Sequence, residues 1–510
     1  MSYELIAAVD LGSNSFRLQV GRIVGNQIYP LDSLKESVRL AAGLTADRML
    51  DGASQLRALE ALRRFGERLR GFVPGAVRAV ATNTFRVAKN GPQFLIQAEA
   101  ALGFPIEVIA GREEARLIYL GVAHTLANPA TQQLVVDIGG GSTEFIIGHS
   151  FSPLQLESLY MGCVSHTLRY FPGGHVDKPG MKAAELAASK ELQTIVAAYR
   201  ETGWEQAVGS SGTAKAIVDL LEMNGLNDLG GDGTPEITRG GLERLKTMLL
   251  RAGDIGNLRL DGLRPDRTGV LPGGLAIMSA IFKEFELERM AFSEGALRLG
   301  VLYDLLGRYH HDDLREATVN LFMQRYAVDR RQAARISQSA LNLLRQLLPE
   351  SDPRYETETQ FLVWAARLHE IGISVAHASY HKHSAYIIGN ADMPGFSRMD
   401  QGRLSRIVLG HRGKLERVQA VTNDPREWLL IFCLRLAALL HRARDDAALP
   451  SLHVISVERG FHLSVDGAWL AASPLTAAIL DEEVRQWTAL GMELKVRRER
   501  SKGSDVAIAS

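Results

Sequence analysis

The chain has 510 residues, 46% of them hydrophobic and 23% charged, a soluble globular composition too long for a single core. Its 58 basic and 58 acidic residues cancel to a formal net charge of +0. No whole-molecule field recruits a polyanion, so nucleic acid is not an expected partner and any anion site must be local. Cys163 and Cys433 stand far apart, with neither zinc spacing nor the density of a disulfide scaffold.

Taken in chain order, Leu5–Val9 and Phe16–Ile23 are β-prone runs flanking Gly12-Ser13-Asn14-Ser15, which predicts strand, tight turn, strand. Ala53–Phe72 carries apolar residues at helical spacing, Val77–Ala81 and Ile106–Ile109 read as short strands, and a helix follows from Glu113. A second beginning appears at Leu134. Val9-Asp10-Leu11-Gly12 is echoed by Val136-Asp137-Ile138-Gly139, three small residues follow each, and apolar runs resume at Phe16 and Phe145. The echo predicts two related halves facing one another.

Asn224–Glu236 predicts a surface loop, and Val270–Ile277 a Gly-Gly turn leading into a buried helix. Val270–Phe282 and Leu429–Leu440, the longest apolar stretches, fall short of the ~20 residues that span a bilayer. Arg308–Asp313 marks the main boundary, and Leu314 to about Leu449 is helical in period. Beyond Pro450 the pattern predicts a hairpin at Val454–Val457 and Phe461–Val465, a helix near Pro474–Leu490 and a strand at Met492–Val496. The expected architecture is α/β: paired lobes over 1–125 and 126–309, a helical domain over 310–449 and a small α/β cap over 450–510. The start, Met1-Ser2-Tyr3-Glu4, has no secretion-signal character, so the expected compartment is the cytoplasm, with peripheral membrane association left open.

A strand that ends in Asp and enters a Gly/Ser-rich bend presents several N–H groups on one concave side, and such a nest binds phosphate oxygens. Asp10 and Asp137 would then sit beside an anion, which is unfavourable unless a cation lies between; Mg²⁺ suits carboxylate, water and phosphate oxygens. The plain alternative is two hairpin turns with Asp supplying turn hydrogen bonds. The pairing of the motifs favours phosphate.

Asp10-Leu11-Gly12-Ser13-Asn14-Ser15, Gly111-Arg112-Glu113-Glu114-Ala115-Arg116, Asp137–Glu144 and Gly209–Lys215 together resemble the exopolyphosphatase/guanosine pentaphosphate phosphatase family, of the actin-like, sugar-kinase and heat-shock ATPase superfamily. Met161–Ser165, Phe171–Gly174 and His383–Tyr386 extend the resemblance along the chain. It implies two actin-like (ribonuclease H-like) lobes with the site in the cleft between them, then an all-α region resembling His-Asp phosphohydrolases. It implies Glu114 as catalytic base and Glu144 as a second carboxylate. Asp10, Asp137 and Glu144 would hold Mg²⁺, with Mn²⁺ and a monovalent cation as further candidates. The implied phosphate ligands are Ser13, Asn14, Ser15, Arg86, Gly139, Gly140, Gly141, Ser142, Ser211, Gly212, Thr213 and Lys215. A homodimer is also implied.

For Glu113 and Glu114 the competing reading is a solvated first helical turn, and for Arg86 and Lys215 an ordinary surface. The helical region has His369-Glu370 where His-Asp phosphohydrolases carry His-Asp, which favours a degenerate domain over a second metal centre. His381, Lys382, His383, Arg412 and Lys414 could track a long phosphate chain, or form a solvated face. The leading expectation is removal of orthophosphate from inorganic polyphosphate. Its rival is removal of the 5′ γ-phosphate of guanosine pentaphosphate, with guanosine tetraphosphate a further ligand. Gly141, Lys215 and the His381-Lys382-His383 spelling lean toward polyphosphate by resemblance. A kinase-like ATPase would need an adenosine pocket, and a non-catalytic sensor would not need four carboxylates.

Overall fold

The structure is a computed structural model that describes residues 3–24, 27–126, 131–227, 236–309 and 314–499. It divides into two compact units, 1–314 and 315–510. The predicted Asn224–Glu236 loop and Arg308–Asp313 boundary fall largely on residues outside those described.

In the first unit, β1 (Leu5–Leu11), β2 (Phe16–Val24), β3 (Gln27–Glu36), β4 (Val77–Ala81) and β5 (Ile106–Val108) form one sheet in the order β3-β2-β1-β4-β5. A second sheet contains β6 (Gln133–Ile138), β7 (Thr143–His149), β8 (Ser152–Leu159), β9 (Gln206–Ser210), β10 (Glu236–Thr238) and β11 (Arg289–Phe292), in the order β10-β11-β9-β6-β7-β8. In both, an antiparallel three-strand meander leads, and parallel strands add to the far side of its first strand. The echo in sequence is thus an echo in topology. This is the two-lobed actin-like arrangement that the resemblance implies.

Alternation along β1 decides what each sheet face covers. Ala7, Val9 and Leu11 pack with Leu62 and Phe65 of helix Gly52–Arg68 and Phe94 of helix Gly91–Leu102. Ile6 and Ala8 face the other way, into a layer that also takes Val135 from β6 and Val208 from β9. Helices Gly111–Ala123 and Leu297–Tyr309 fill that layer between the sheets. They approach closely where Gly300 lacks a side chain: a Cβ there would lie 1.7 Å from the Leu117 carbonyl oxygen.

A buried ion network pins the same two helices to β4. Arg78 donates to Asp304 at 2.6 Å and to Glu107 at 2.9 Å, while Arg116 donates to Glu113 at 2.8 Å and to Asp304 at 2.5 Å. Glu113 therefore belongs to the core and is not a solvated residue of the first turn. The Pro272-Gly273-Gly274 segment does not form a turn. It lies inside the first turn of the buried helix Leu271–Glu284, where Pro is compatible with the free N–H positions.

The second unit is helical as far as Leu440 and closes with β12 (Leu452–Val457), β13 (Gly460–Asp466) and β14 (Glu493–Glu499). The small sheet joins the helical core, since Phe461 of β13 stacks on Phe432 with centroids 4.0 Å apart. Among the described residues no helix is long and apolar enough to cross a membrane.

Removing one partner from a buried charge network leaves the others uncompensated. Asp304→Ala is therefore expected to cost about 3–5 kcal/mol of unfolding free energy in urea denaturation. A loss below about 1 kcal/mol would show that the network is not what holds the two helices to β4.

Candidate active site

The two Asp-led turns meet at one cavity of about 370 Å³. Their backbones repeat one another. A Cβ on Gly12 would lie 3.0 Å from the Ser15 carbonyl oxygen, and a Cβ on Gly139 would lie 3.0 Å from that of Ser142. Both turns therefore need glycine directly after the strand. In the first, Ser13 and Asn14 direct their carbonyls outward to the N–H groups of Ala41 and Arg39 at 2.9 and 2.8 Å. In the second, Gly139 and Gly140 direct theirs to the N–H groups of Cys163 and Val164 at 2.9 and 3.0 Å. In a trans peptide the N–H opposes the carbonyl, so the amides of Asn14, Ser15 and Gly140, all of which line the cavity, point the other way. The turns are built to offer donors to an anion.

Five carboxylates line this cavity: Asp10, Glu114, Asp137, Glu144 and the exposed Glu294. Strand register explains two of them, since Asp137 pairs directly with Glu144 across β6 and β7. The equivalent partner of Asp10 is Arg17. Burial pushes the Asp10 carboxyl up to about 7, opposed by Arg298 and Arg17. Burial likewise pushes Asp137 up to about 6, opposed by the Ser211 hydroxyl and reinforced by Glu114. Glu144 is raised by burial and then by Glu114 and Asp137, although Ser158 donates to it at 2.8 Å. Glu114 accepts from Arg86 at 2.8 Å, and Arg86 also donates to the Ile109 carbonyl at 2.9 Å.

Ser13, Asn14, Ser15, Gly139, Gly140, Ser142, Ser211, Gly212 and Lys215 line the cavity as well. Arg86, Gly141 and Thr213 do not. Arg86 is spent on Glu114, and the Thr213 hydroxyl donates to the Ile138 carbonyl at 2.9 Å, tying the third loop to the end of β6. In the second unit His381 is buried and cannot touch a chain running over the surface, whereas Lys382, Arg412 and Lys414 are exposed and His383 is half-buried.

Sequence reasoning missed most of the cations. Arg17, Lys35, Arg264, Arg267 and Arg298 line the cavity beside Lys215. Among the described residues Arg17 and Arg298 have no ion-pair partner, and Arg267 reaches only Asp266, at 3.8 Å. Lys35 also pairs with Asp266, and Lys215 with Asp219 at 3.3 Å. A Cβ on Gly212 would lie 2.1 Å from an Arg267 guanidinium nitrogen, so this glycine makes room for that arginine. The alignment of Asp10 with Asp137 carried the missed signal for Arg17, seven residues on, where the other copy has Glu144.

A family model described as the Ppx/GppA phosphatase family matches residues 19–309, and one described as Ppx/GppA phosphatase, domain III, matches residues 314–484. The chain is 37% identical over 493 residues to a guanosine-5'-triphosphate,3'-diphosphate pyrophosphatase of Pseudoalteromonas translucida (strain TAC 125), covering 96% of this chain and 98% of that protein. It resembles the crystal structure of the Aquifex aeolicus Ppx/GppA family member with a TM-score of 0.50 and 25% identity, over 60% of this chain and 99% of that one. An exopolyphosphatase from Cytophaga hutchinsonii ATCC 33406, 24% identical with a TM-score of 0.54 over 60% of this chain and 98% of its own, shares the fold.

The raised Asp10 carboxyl has a consequence for stability. The folded state keeps the proton between the unfolded value of 3.8 and about 7, where the unfolded chain has released it, so this group lowers stability as pH rises through that window. With divalent cations chelated, Asp10→Asn should therefore unfold at higher urea than the parent at pH 8, with the gap closing toward pH 4. An equal gap at both pH values would contradict the burial effect.

Proposed function

The chain belongs to the Ppx/GppA phosphatase family, and from that premise we propose that its cleft hydrolyses the terminal phosphoanhydride of a phosphate chain, foremost the 5′ γ-phosphate of guanosine pentaphosphate. The observation that supports the reaction is one cavity in which four buried carboxylates meet two amide-presenting turns and a set of uncommitted guanidiniums. The relative that matches along nearly the whole chain supports the nucleotide as substrate. A second reading, inorganic polyphosphate, is supported by Arg17, Arg267 and Arg298, which could neutralise several phosphates in a row.

The carboxylates fit a divalent cation. Asp10 Oδ1 is buried with no hydrogen-bond partner, and Asp137 is held by the Ser211 hydroxyl and by a long contact of 3.4 Å from Ser210. Among the described residues no three acidic, His or Cys side chains form a cage, which suits Mg²⁺, an ion held by one or two carboxylates with waters and substrate phosphates. Asp10 and Asp137 would hold it, with Glu144 nearby. Bound there, it would neutralise charge on the equatorial phosphate oxygens.

The chain's own groups account for the rest. The turn amides and Arg267 orient the terminal phosphoryl group, so that the leaving oxygen faces away from the carboxylates. Glu114 orients water and takes its proton as the new P–O bond forms and the anhydride P–O bond breaks, with the leaving phosphate departing as an anion. Arg86 acts through Glu114 and is a positioning residue.

Glu114→Gln should lower turnover by a factor of ~10²–10⁴ and leave substrate binding nearly intact, as loss of a general base does. Arg86→Ala should lower kcat with little change in KM, and Arg86→Lys should recover part of the loss. Near-normal turnover of the Gln variant would remove Glu114 from its role. For the substrate, orthophosphate release is measured from guanosine pentaphosphate and from long-chain polyphosphate, each with and without Mg²⁺. Higher kcat/KM on the nucleotide is expected. Release from polyphosphate alone would overturn that order.

A further inference from the structure

The second unit encloses a cavity of its own, of about 290 Å³. Two histidines at helix ends line it. His369 donates Nδ1–H to the Ala366 carbonyl at 2.7 Å, and His411 donates Nδ1–H to the Val408 carbonyl at 2.5 Å. A carbonyl oxygen can only accept, so these nitrogens carry the ring protons, and in a neutral imidazole Nε2 is then a bare acceptor. Burial lowers both imidazole pKa values and keeps the rings neutral. Their rings meet edge to face with centroids 4.9 Å apart.

Neither Nε2 is well satisfied. The Tyr380 hydroxyl stands 3.4 Å from that of His411, and the nearest charged group to that of His369 is the Glu370 carboxylate at 3.8 Å, itself an acceptor held by Arg444. Both residues line the cavity and their Nε2 atoms have weak protein partners, so this wall can accept N–H groups from a ligand. Arg412 and Arg442, both exposed, also line the cavity, and neither has an ion-pair partner among the described residues. The Arg412 guanidinium is held over the Tyr380 ring, 5.1 Å from its centroid. Ile336, Ile373 and Leu439 add apolar walls.

A ligand matched to this cavity is flat and apolar in the middle, carries N–H donors at one end and is anionic at the other. We propose that it is a purine nucleotide whose base presents adjacent N–H donors, as guanine does with N1–H and its exocyclic amine. The donors face His369, His411 and Glu370, and the phosphate lies at Arg412 and Arg442. The volume is at the small end of ligand pockets, about 300–1,000 Å³, and suits a mononucleotide. A metal ion is the poorer occupant, because among the described residues no three His, Cys, Asp or Glu side chains are grouped so that they could hold one. The site is independent of the reaction in the cleft.

The experiment is calorimetry on the full chain with GMP, which has no anhydride bond to cleave, alongside IMP, which lacks the exocyclic amine, and ribose 5-phosphate. GMP should bind at one site, IMP about tenfold more weakly and ribose 5-phosphate more weakly still. Arg442→Ala, at the exposed rim, should weaken GMP by about tenfold, with His411→Gln as a second variant from the interior. The proposal fails if GMP does not bind, if both variants bind it as the parent does, or if ribose 5-phosphate binds as tightly as GMP. It fails equally if Zn²⁺ alone saturates the parent, loses its site in His411→Gln and leaves GMP without one.

Discussion

Four carboxylates buried around one cavity repel one another, and the rest of the first unit is arranged around that repulsion. Burial raises Asp10, Asp137 and Glu144, and each is raised further by its acidic neighbours. A fold gains nothing from such crowding in itself. In the proposed reaction a cation would neutralise the acids and a phosphate chain would neutralise Arg17, Arg267 and Arg298, and the arrangement would become favourable. Those guanidiniums crowd one another too, for Arg17 is lowered to about 10 by burial and then by Arg298. The cleft by itself is strained electrostatically in both directions, and the proposed ligands would relieve both.

Holding such a site open requires rigid supports, and these lie one layer behind it. Glu113 and Glu114 are adjacent in sequence yet serve opposite sides of helix Gly111–Ala123. Glu113 joins the Arg78–Asp304–Arg116 network, and Glu114 turns to the cavity. That network and the close approach at Gly300 fix the helix, so the Glu114 carboxylate needs only Arg86 to set its direction. On the opposite lobe Ser211 opens its helix with φ of 70°, a left-handed conformation that a serine adopts at a cost. It is held there beside Asp137 and Gly212 by the third small-residue loop.

The fold was legible because it is written twice. The Val-Asp-x-Gly echo and its flanking apolar runs located the first strands of both sheets, and Val77–Ala81 matches β4 to the residue. The edge strand β3 was invisible because Gln27–Glu36 is largely exposed and polar, so its sequence has no apolar alternation to read. The carboxylates and turn residues announced themselves through local motifs. The cations did not, because Lys35, the Arg264–Arg267 segment and Arg298 reach the cavity from three separate stretches with no motif in common. Tertiary convergence of single arginines leaves no trace in periodicity.

Substrate choice turns on the same distinction between local spelling and packing. Three positions leaned toward polyphosphate in sequence, and each has a structural reason that does not involve a longer phosphate chain. Gly141 does not line the cavity, and a Cβ there would lie 2.1 Å from the Asn83 amide nitrogen, so the glycine answers to its neighbour rather than to a roomier site. Lys215 is engaged by Asp219 and lies over the Phe292 ring, 5.3 Å from its centroid. His381 is buried with its Nδ1 unpartnered. Once these are accounted for by packing, none of the three positions favours polyphosphate over a nucleotide that carries the same terminal phosphates. Guanosine pentaphosphate and polyphosphate present those phosphates alike, so discrimination between them must come from contacts beyond the terminal anhydride.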